Sequence, residues 1–218
     1  MTRPVDVARH LGAVTRTVTR TDRDGKPARV VIAVREFPSD PDDVWDAITS
    51  VERIPRWFLP VAGDLRLGGR FQLEGNAGGR ILVCDRPRHL GLTWEGGGQT
   101  SWVDVRLTSL KPERTRLELE HVAHVPDELW DQFGPGAVGV GWESGLMGLA
   151  EYLSGTPAVT PAEGMAWLGT DEGRRFLRGS SDAWRDASIR HGTLAEAARA
   201  AAERTYAAYT GTGEAADS

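Results

Sequence analysis

The stretch that decides the fold is GAVGVGWESGLMGLAEYL, residues 136–153. Its large apolar residues recur at the i, i+4, i+8, i+11 and i+15 spacing that places side chains on one face of a helix. These residues are Val138, Trp142, Leu146, Leu149 and Leu153. Glycine and proline flank the stretch, in Gly134-Pro135-Gly136 and Gly155-Thr156-Pro157. We therefore predict one long amphipathic helix between these two breaks.

The chain before this helix alternates apolar and polar residues with the period of two that is typical of antiparallel strands. The alternating sets are Phe71 and Leu73, then Leu90, Leu92 and Trp94, then Val103, Val105 and Leu107, and then Leu117, Leu119 and His121. Further upstream, segments 13–20 and 28–37 are rich in Val and Thr, and Asp24-Gly25 between them favours a hairpin turn. The pattern predicts an antiparallel sheet with one face buried and the other facing solvent.

Two short helices are predicted between the hairpin and the later strands. Asp40 suits a helix N-cap and Pro41 suits the first helical position, so a helix to about Thr49 is expected. A second short helix is expected over residues 51–56. A curved antiparallel sheet needs a cover for its apolar face, and the helix at 136–153 is long enough to provide it. The predicted fold class is α+β: a helix grip, in which a curved antiparallel sheet wraps around a long helix.

An ordered series of short segments resembles a known protein family. The segments are Arg35-Glu36-Phe37, DVWDAIT at 43–49, RWFLP at 56–60, LGGRF at 67–71, Asp85-Arg86-Pro87, Leu92-Thr93-Trp94, TRLELEH at 115–121 and Gly141-Trp142. In this order they resemble the bacterial homologues of the activator of the Hsp90 ATPase, in the START-like (SRPBCC) superfamily, which has a birch-pollen-allergen-like helix-grip fold. The resemblance covers about residues 30–153 and implies a hydrophobic cavity between sheet and helix. The superfamily includes lipid carriers, polyketide cyclases and co-chaperones, and a shared fold does not choose among them.

Eight residues are predicted to contact a ligand in this cavity. Trp57 and Phe58 lie between the short helices and the sheet, where a helix-grip cavity has its mouth. The others fall on inward strand faces or on the helix stripe: Phe71, Leu73, Trp94, Leu119, His121 and Trp142. Packing in the core is the alternative for the apolar ones, because burying one tryptophan contributes about 5 kcal/mol. Trp102 is off the inward face and is predicted to lie outside the cavity.

His121 is the polar residue of chemical interest on the inward face. In an apolar cavity its ring can orient a ligand or act as a general acid or base, and the alternative is a histidine hydrogen-bonded inside the core. His124 is expected on the opposite strand face, so the two histidines form a poor metal pair. Cys84 lies in an apolar strand and is predicted to be a buried, inert thiol. No catalytic residue, metal or cofactor is therefore predicted.

The residues after 155 predict a helical extension. Thr160-Pro161-Ala162-Glu163 has the pattern of a capping box, and Thr193-Leu194-Ala195-Glu196 repeats it. Two helix faces follow from the spacing, one with Phe176, Ser180, Trp184 and Ala187, the other with Leu194, Ala198, Ala201, Thr205 and Tyr209. We predict a START-like domain at 1–155, an extension at 156–210 and a flexible tail at 211–218. The extension packs on the domain or on a second subunit, which would make a homodimer.

Composition excludes several functional classes. The 218 residues carry a net charge of −5, which argues against nucleic-acid binding. One cysteine excludes an internal disulfide, and no apolar run has the length of a signal peptide or a membrane span, so a cytoplasmic protein is expected. Three functions remain. Binding of a small apolar ligand is favoured over a cyclase- or aromatase-like enzyme using His121 and over a co-chaperone-like module acting on an ATPase.

Overall fold

The computed structural model describes residues 5–212, and its central element is an antiparallel sheet of eight strands. The strands are β1 (Val14–Arg23), β2 (Lys26–Phe37), β3 (Val61–Gly63), β4 (Arg70–Leu73), β5 (Gly78–Asp85), β6 (His89–Gly96), β7 (Gln99–Lys111) and β8 (Arg114–Ala123). Their order in the sheet is β1-β2-β8-β7-β6-β5-β4-β3, and each strand is antiparallel to its neighbours. The predicted helix-grip α+β fold is confirmed.

Seven α-helices accompany the sheet within the described residues. They are α1 (Val7–Gly12), α2 (Pro41–Thr49), α3 (Asp127–Phe133), α4 (Gly136–Leu153), α5 (Pro161–Leu168), α6 (Asp171–Arg190) and α7 (Ala195–Thr210). Within residues 5–212, none of the helices has the length and apolar character needed to cross a lipid bilayer. Of the tail predicted at 211–218, residues 213–218 lie outside the described range.

Short-range signals place the first elements as the sequence predicts. Asp24 and Gly25 have positive φ angles of 54° and 74° and join β1 to β2 in the predicted hairpin. The Asp40 carboxylate accepts a hydrogen bond from the first turn of α2 at 3.0 Å, as an N-cap does. The second helix is only a 3₁₀ turn at Ile54–Arg56, because Pro55 has no N–H with which to extend a helix back to 51.

Helix α4 packs inside the curved sheet through its predicted stripe. Leu146 and Leu149 are 4% and 1% exposed, and they belong to one hydrophobic cluster with inward residues of the strands. Trp142, on the same stripe, packs against β6 and β8 through Trp94 and His121. The stripe that decides the fold therefore faces the sheet, as predicted.

A second face of α4 is also buried, although its residues carry no apolar pattern that predicts burial. At Gly139 a Cβ would come within 2.3 Å of the Trp184 ring, so only glycine lets α6 approach this closely. One turn later, Glu143 is 1% exposed and its carboxylate accepts two hydrogen bonds from the Arg16 guanidinium of β1. Helix α4 is thus enclosed by the concave face of the sheet on one side and by α6 and the edge strand β1 on another.

Helices α6 and α7 pack on the rest of the same chain. Helix α6 contacts α1, α4, β1 and α7, and α7 also contacts α3. The predicted face of α6 is buried throughout, with Phe176, Ser180, Trp184 and Ala187 at most 2% exposed. Its apolar residues join the same hydrophobic cluster as the sheet and α4. The boundary at 155 and any contact with a second subunit stay predictions.

Cys84 is exposed to solvent, so the predicted buried thiol is wrong. The pairing of β5 with β6 shifts register between Ile81 and Val83, and Leu82 is 42% exposed. The apolar run 81–84 therefore has one fully buried member, Ile81, because only one face of the strand meets the core.

The two predicted capping boxes have different outcomes. Thr160 and Glu163 form the reciprocal capping box at the start of α5. The box predicted at Thr193 is wrong, because the Ser188 hydroxyl donates to the Thr193 hydroxyl at 2.8 Å and α7 begins only at 195. Leu194 stands at the N-cap instead and is 79% exposed, so it does not share the buried face predicted for α7.

Candidate functional site

A cavity of about 550 Å³ opens at one end of the sheet, between the strands and helices α3 and α4. Its walls come from the β4–β5 and β6–β7 turns, the end of β8, helix α3 and the first turn of α4. The volume lies within the range of about 300–1,000 Å³ that is usual for small-molecule sites. The cavity is therefore large enough for an organic ligand.

Apolar side chains from both strands and helices form much of the lining. Val31 and Trp94 come from the sheet, and Trp130 and Val138 come from α3 and α4. Directly behind Trp94 lies Trp142, with ring centroids 4.8 Å apart and planes tilted by 59°. Because the two indoles support each other, the sheet side of the cavity presents a fixed aromatic surface.

His121 lies in the lining and is hydrogen-bonded through both ring nitrogens. The indole N–H of Trp142 donates to Nδ1 at 2.9 Å. Since an indole can only donate, Nδ1 carries no proton and the neutral ring holds its proton on Nε2. Nε2 donates to the Ser101 hydroxyl at 2.8 Å, and that hydroxyl donates to the carbonyl of Trp94 at 3.1 Å. The groups form one directed hydrogen-bond chain.

The hydrogen-bond chain determines the protonation state of His121 and what its ring can do. Burial lowers its pKa to about 4, so the ring is neutral at pH 7. A proton on Nδ1 would face the Trp142 N–H, which sets two donors against each other. Both nitrogens are used within the protein, so the geometry does not support proton transfer between His121 and a ligand. The ring is instead a fixed polar element in the cavity wall.

We expect the free energy of unfolding to fall by about 3 kcal/mol between pH 7 and pH 4 because of His121 alone. The folded pKa of about 4 lies below the ordinary value of 6.5, so the unfolded chain takes up the proton first. Stability is therefore full above pH 6.5 and falls until the folded ring protonates near pH 4. Urea unfolding of the wild type and of His121→Gln across this range measures the effect.

The difference between the two proteins isolates His121. Burial also lowers the pKa of His10, which weakens both proteins in the same direction as the pH falls. The wild type should therefore lose more stability than His121→Gln, by about 3 kcal/mol at pH 4. Parallel pH profiles would contradict the assignment of a neutral, buried His121.

The structure places two of the eight predicted site residues, Trp94 and His121, in the cavity lining and Trp142 directly behind them. Trp57 and Phe58 are elsewhere, stacked on each other with centroids 5.4 Å apart. The Trp57 indole N–H donates to the backbone carbonyl of Ala47 in α2 at 3.0 Å. At Gly145 of α4, a Cβ would lie 3.5 Å from the Phe58 ring. These two aromatic residues fill the space between α2 and α4.

The remaining three predicted site residues lie in the packed core. Phe71, Leu73 and Leu119 are 8%, 4% and 5% exposed and do not line the cavity. Their strand faces were predicted correctly, since all three point into the sheet's concave side with the rest of the cluster. What the alternation left out is the position of the cavity along the strands.

Sequence reasoning missed several lining residues that lie at strand ends, in turns or in α3, namely Arg29, Asn76, Gln99, Thr100 and Trp130. The signal that could have found the turn residues was present. The runs Gly75-Asn76-Ala77 and Gly96-Gly97-Gly98 both turn the chain at the same end of an up-and-down sheet. Small residues there leave space that large strand residues fill elsewhere.

His124 lines the same cavity as His121, although alternation placed it on the opposite face. Strand β8 ends at Ala123, so the strand period does not extend to it. Its ring also packs edge-on against Trp102 at 5.4 Å, and Trp102 lies outside the cavity as predicted, over a separate apolar cluster. In the part of the chain that the structure describes, no three His, Cys, Asp or Glu residues are grouped as metal ligands.

Comparison with known proteins places the chain in a family. The model of the family described as Activator of Hsp90 ATPase homolog 1-like protein matches residues 38–154. The crystal structure of CalU16 from Micromonospora echinospora is 34% identical and covers 81% of this chain and 99% of its own, with a TM-score of 0.65. The solution NMR structure of CalU16 gives 32% identity, coverage of 83% and 97%, and a TM-score of 0.67.

More distant structures support the fold alone. Protein MLL2253 from Mesorhizobium loti is 24% identical, covers 59% of this chain and 98% of its own, and has a TM-score of 0.52. No protein with a curated description matches the sequence. Since the family model spans more than half of the chain, and CalU16 is similar over nearly its whole length, the chain belongs to the Activator of Hsp90 ATPase homolog 1-like family of the START-like superfamily.

Proposed function

We propose that this protein binds a small, uncharged, largely apolar molecule in the cavity between the sheet and helices α3 and α4. The observation that carries the proposal is the open volume of about 550 Å³ beside a fixed aromatic wall. Elsewhere between the sheet and α4, side chains such as Trp57 and Phe58 fill the space. A wall of tryptophan beside open space favours an apolar ligand with ring character.

The charges around the cavity favour an uncharged ligand. Of the lining residues, Arg29 alone carries a permanent charge. Its guanidinium already donates to the Asp127 carboxylate at 2.6 Å. Neutral His121 offers no counter-charge either. A charged ligand would lose hydration on entry, and the one cation of the lining already has a counter-charge in Asp127. The second terminal nitrogen of Arg29, Nη1, is buried without a hydrogen-bond partner among the described residues, so it can donate to a neutral oxygen of a ligand.

Polar side chains at the turns favour a ligand that also has a hydrogen-bonding end. Asn76, Gln99 and Thr100 belong to the lining and are exposed. Asn76 lies in the β4–β5 turn, and Gln99 and Thr100 are the first two residues of β7, beside the apolar wall. Such groups can orient a ligand by its polar end while its rings contact the tryptophans.

A fluorescent probe pair tests the proposal. N-phenyl-1-naphthylamine is uncharged, and 1-anilinonaphthalene-8-sulfonate has the same aromatic frame with an added sulfonate. We expect saturable binding of the uncharged probe, at least about tenfold tighter than that of the sulfonate. Val138→Trp places an indole in the cavity and should weaken binding about tenfold or more. Trp94→Ala should weaken both binding and energy transfer from tryptophan to the probe.

Trp102→Ala is the matched control, because Trp102 lies on the other side of the sheet. It removes the same side chain as Trp94→Ala and should change the affinity far less, because Trp102 meets the lining only through an edge contact with the His124 ring. Lack of saturable binding by the wild type, or equal affinity in Val138→Trp, would contradict the proposal.

The other two hypotheses receive less support. A cyclase- or aromatase-like reaction would use His121 to move a proton, yet both of its nitrogens are engaged within the protein. A co-chaperone-like role rests on the family description alone. Ligand binding is therefore the function that the geometry supports best.

A further inference from the structure

Helix α3 forms one wall of the cavity and contacts the core through the partly buried ring of Trp130. It contributes Leu129 and Trp130 to the lining. None of its seven residues is buried, and Leu129 is 42% exposed. A helix of this length is not stable by itself in water, so contacts from other elements must hold it in place.

The first of these contacts comes from the sheet. The Arg29 guanidinium of β2 donates to the Asp127 carboxylate at 2.6 Å, at the first residue of α3. The same guanidinium lies 5.0 Å from the centroid of the Trp130 ring. One arginine therefore holds both the start of α3 and the tryptophan that this helix adds to the cavity wall.

The second set of contacts comes from the C-terminal helix α7. The Arg204 guanidinium donates to the backbone carbonyl of Gln132 at 2.6 Å and to that of Asp131 at 3.0 Å. The Thr205 hydroxyl donates to the carbonyl of Phe133 at 2.8 Å. The last carbonyls of a helix lack partners within it, so α7 satisfies the end of α3.

We propose that α3 is a lid over the cavity and that Arg204 of α7 latches it. The inference rests on the proposed ligand binding and adds how entry and exit are controlled. The Arg204 contacts are polar and at the surface, and α3 meets the core through the partly buried Trp130, so the lid can open with little disturbance of the core. Arg204 is then a positioning residue that acts on the ligand through α3. This gives the extension a direct influence on the cavity.

Hydrogen exchange of the ligand-free protein tests the latch. Arg204→Ala should raise the exchange rate of the α3 amides about fivefold, the effect of losing exposed charge-assisted hydrogen bonds. Arg199→Ala is the matched control, since Arg199 is exposed on the same helix and makes no hydrogen bond to α3 among the described residues. Arg204→Lys can still donate to one carbonyl and should give an intermediate rate. The melting temperature should fall by no more than about 2–4 °C in Arg204→Ala and should be unchanged in Arg199→Ala.

Stopped-flow binding of N-phenyl-1-naphthylamine tests the lid. Faster opening should raise the association and dissociation rate constants of Arg204→Ala together, by about fivefold, with little change in Kd. Unchanged α3 exchange would overturn the latch, and faster exchange with unchanged probe kinetics would overturn the lid. If the wild type bound no probe, the proposed function and the gating role would both fail, while the exchange data would still decide whether Arg204 holds α3.

Discussion

Replacing Trp184 by Ala is expected to lower the free energy of unfolding by about 4 kcal/mol. The Trp184 side chain is fully buried on α6. Its ring lies directly over Gly139 of α4, where any Cβ would come within 2.3 Å of it. Removing the indole leaves a cavity that the rigid backbone of α4 cannot close. Urea unfolding of the full chain measures the loss.

Trp102→Ala provides the comparison, because Trp102 is only half-buried and packs on the outer face of the sheet. We expect that variant to lose about 1–2 kcal/mol. A loss at Trp184 no larger than at Trp102 would contradict the conclusion that α6 belongs to the same core as α4. It would favour an extension that is merely attached.

Glu143→Gln is expected to destabilise the protein by about 3–4 kcal/mol, because it leaves the Arg16 charge buried without a counter-ion. The side chains of Arg16 and Glu143 are 9% and 1% exposed. Burial raises the pKa of Glu143, and the Arg16 guanidinium opposes this rise. Arg16 also donates to the carbonyls of Val14 and Leu11, so its charge is held in place even when its partner is lost.

A double variant separates the pair from its parts. When both charges are replaced, as in Arg16→Met with Glu143→Met, the stability should return to within about 1 kcal/mol of the wild type. The exposed pair of Arg88 and Asp85 is the control, and Asp85→Asn should leave the free energy of unfolding close to that of the wild type. Additive losses in the double variant would show that Arg16 and Glu143 act independently.

The elements that the sequence predicts well are those with a strong local signal. The bounds of α2 and α4 follow from a capping aspartate and from glycine and proline breaks, which act on neighbouring residues. The second buried face of α4 has no such signal. Gly139 and Glu143 are residue types that are common at solvent-facing positions of a helix. They are buried because Trp184 and Arg16, from distant segments of the chain, pack on them.

The sequence predicts which strand faces point into the interior, but not where along the strands the cavity lies. Alternation puts Phe71, Leu119 and His121 on the inward face, and all three are there. Alternation has no information on where the interior is filled, because that depends on which side chains meet across it. Trp57 and Phe58 fill one part, and the glycine-rich turns leave another part open. Which turn residues line the cavity likewise depends on how the chain packs in three dimensions.

The strand order has a consequence for how the chain folds as it is synthesised. Strand β2 lies between β1 and β8, with Val30 opposite Val122, so its inner edge pairs with a segment made much later. At about 5–20 residues per second, roughly 5 to 20 s separate the synthesis of these two valines. Pairings between distant segments also form slowly, because a long loop must close first. The β1–β2 hairpin therefore leaves the ribosome early and keeps an open strand edge until β8 has followed it.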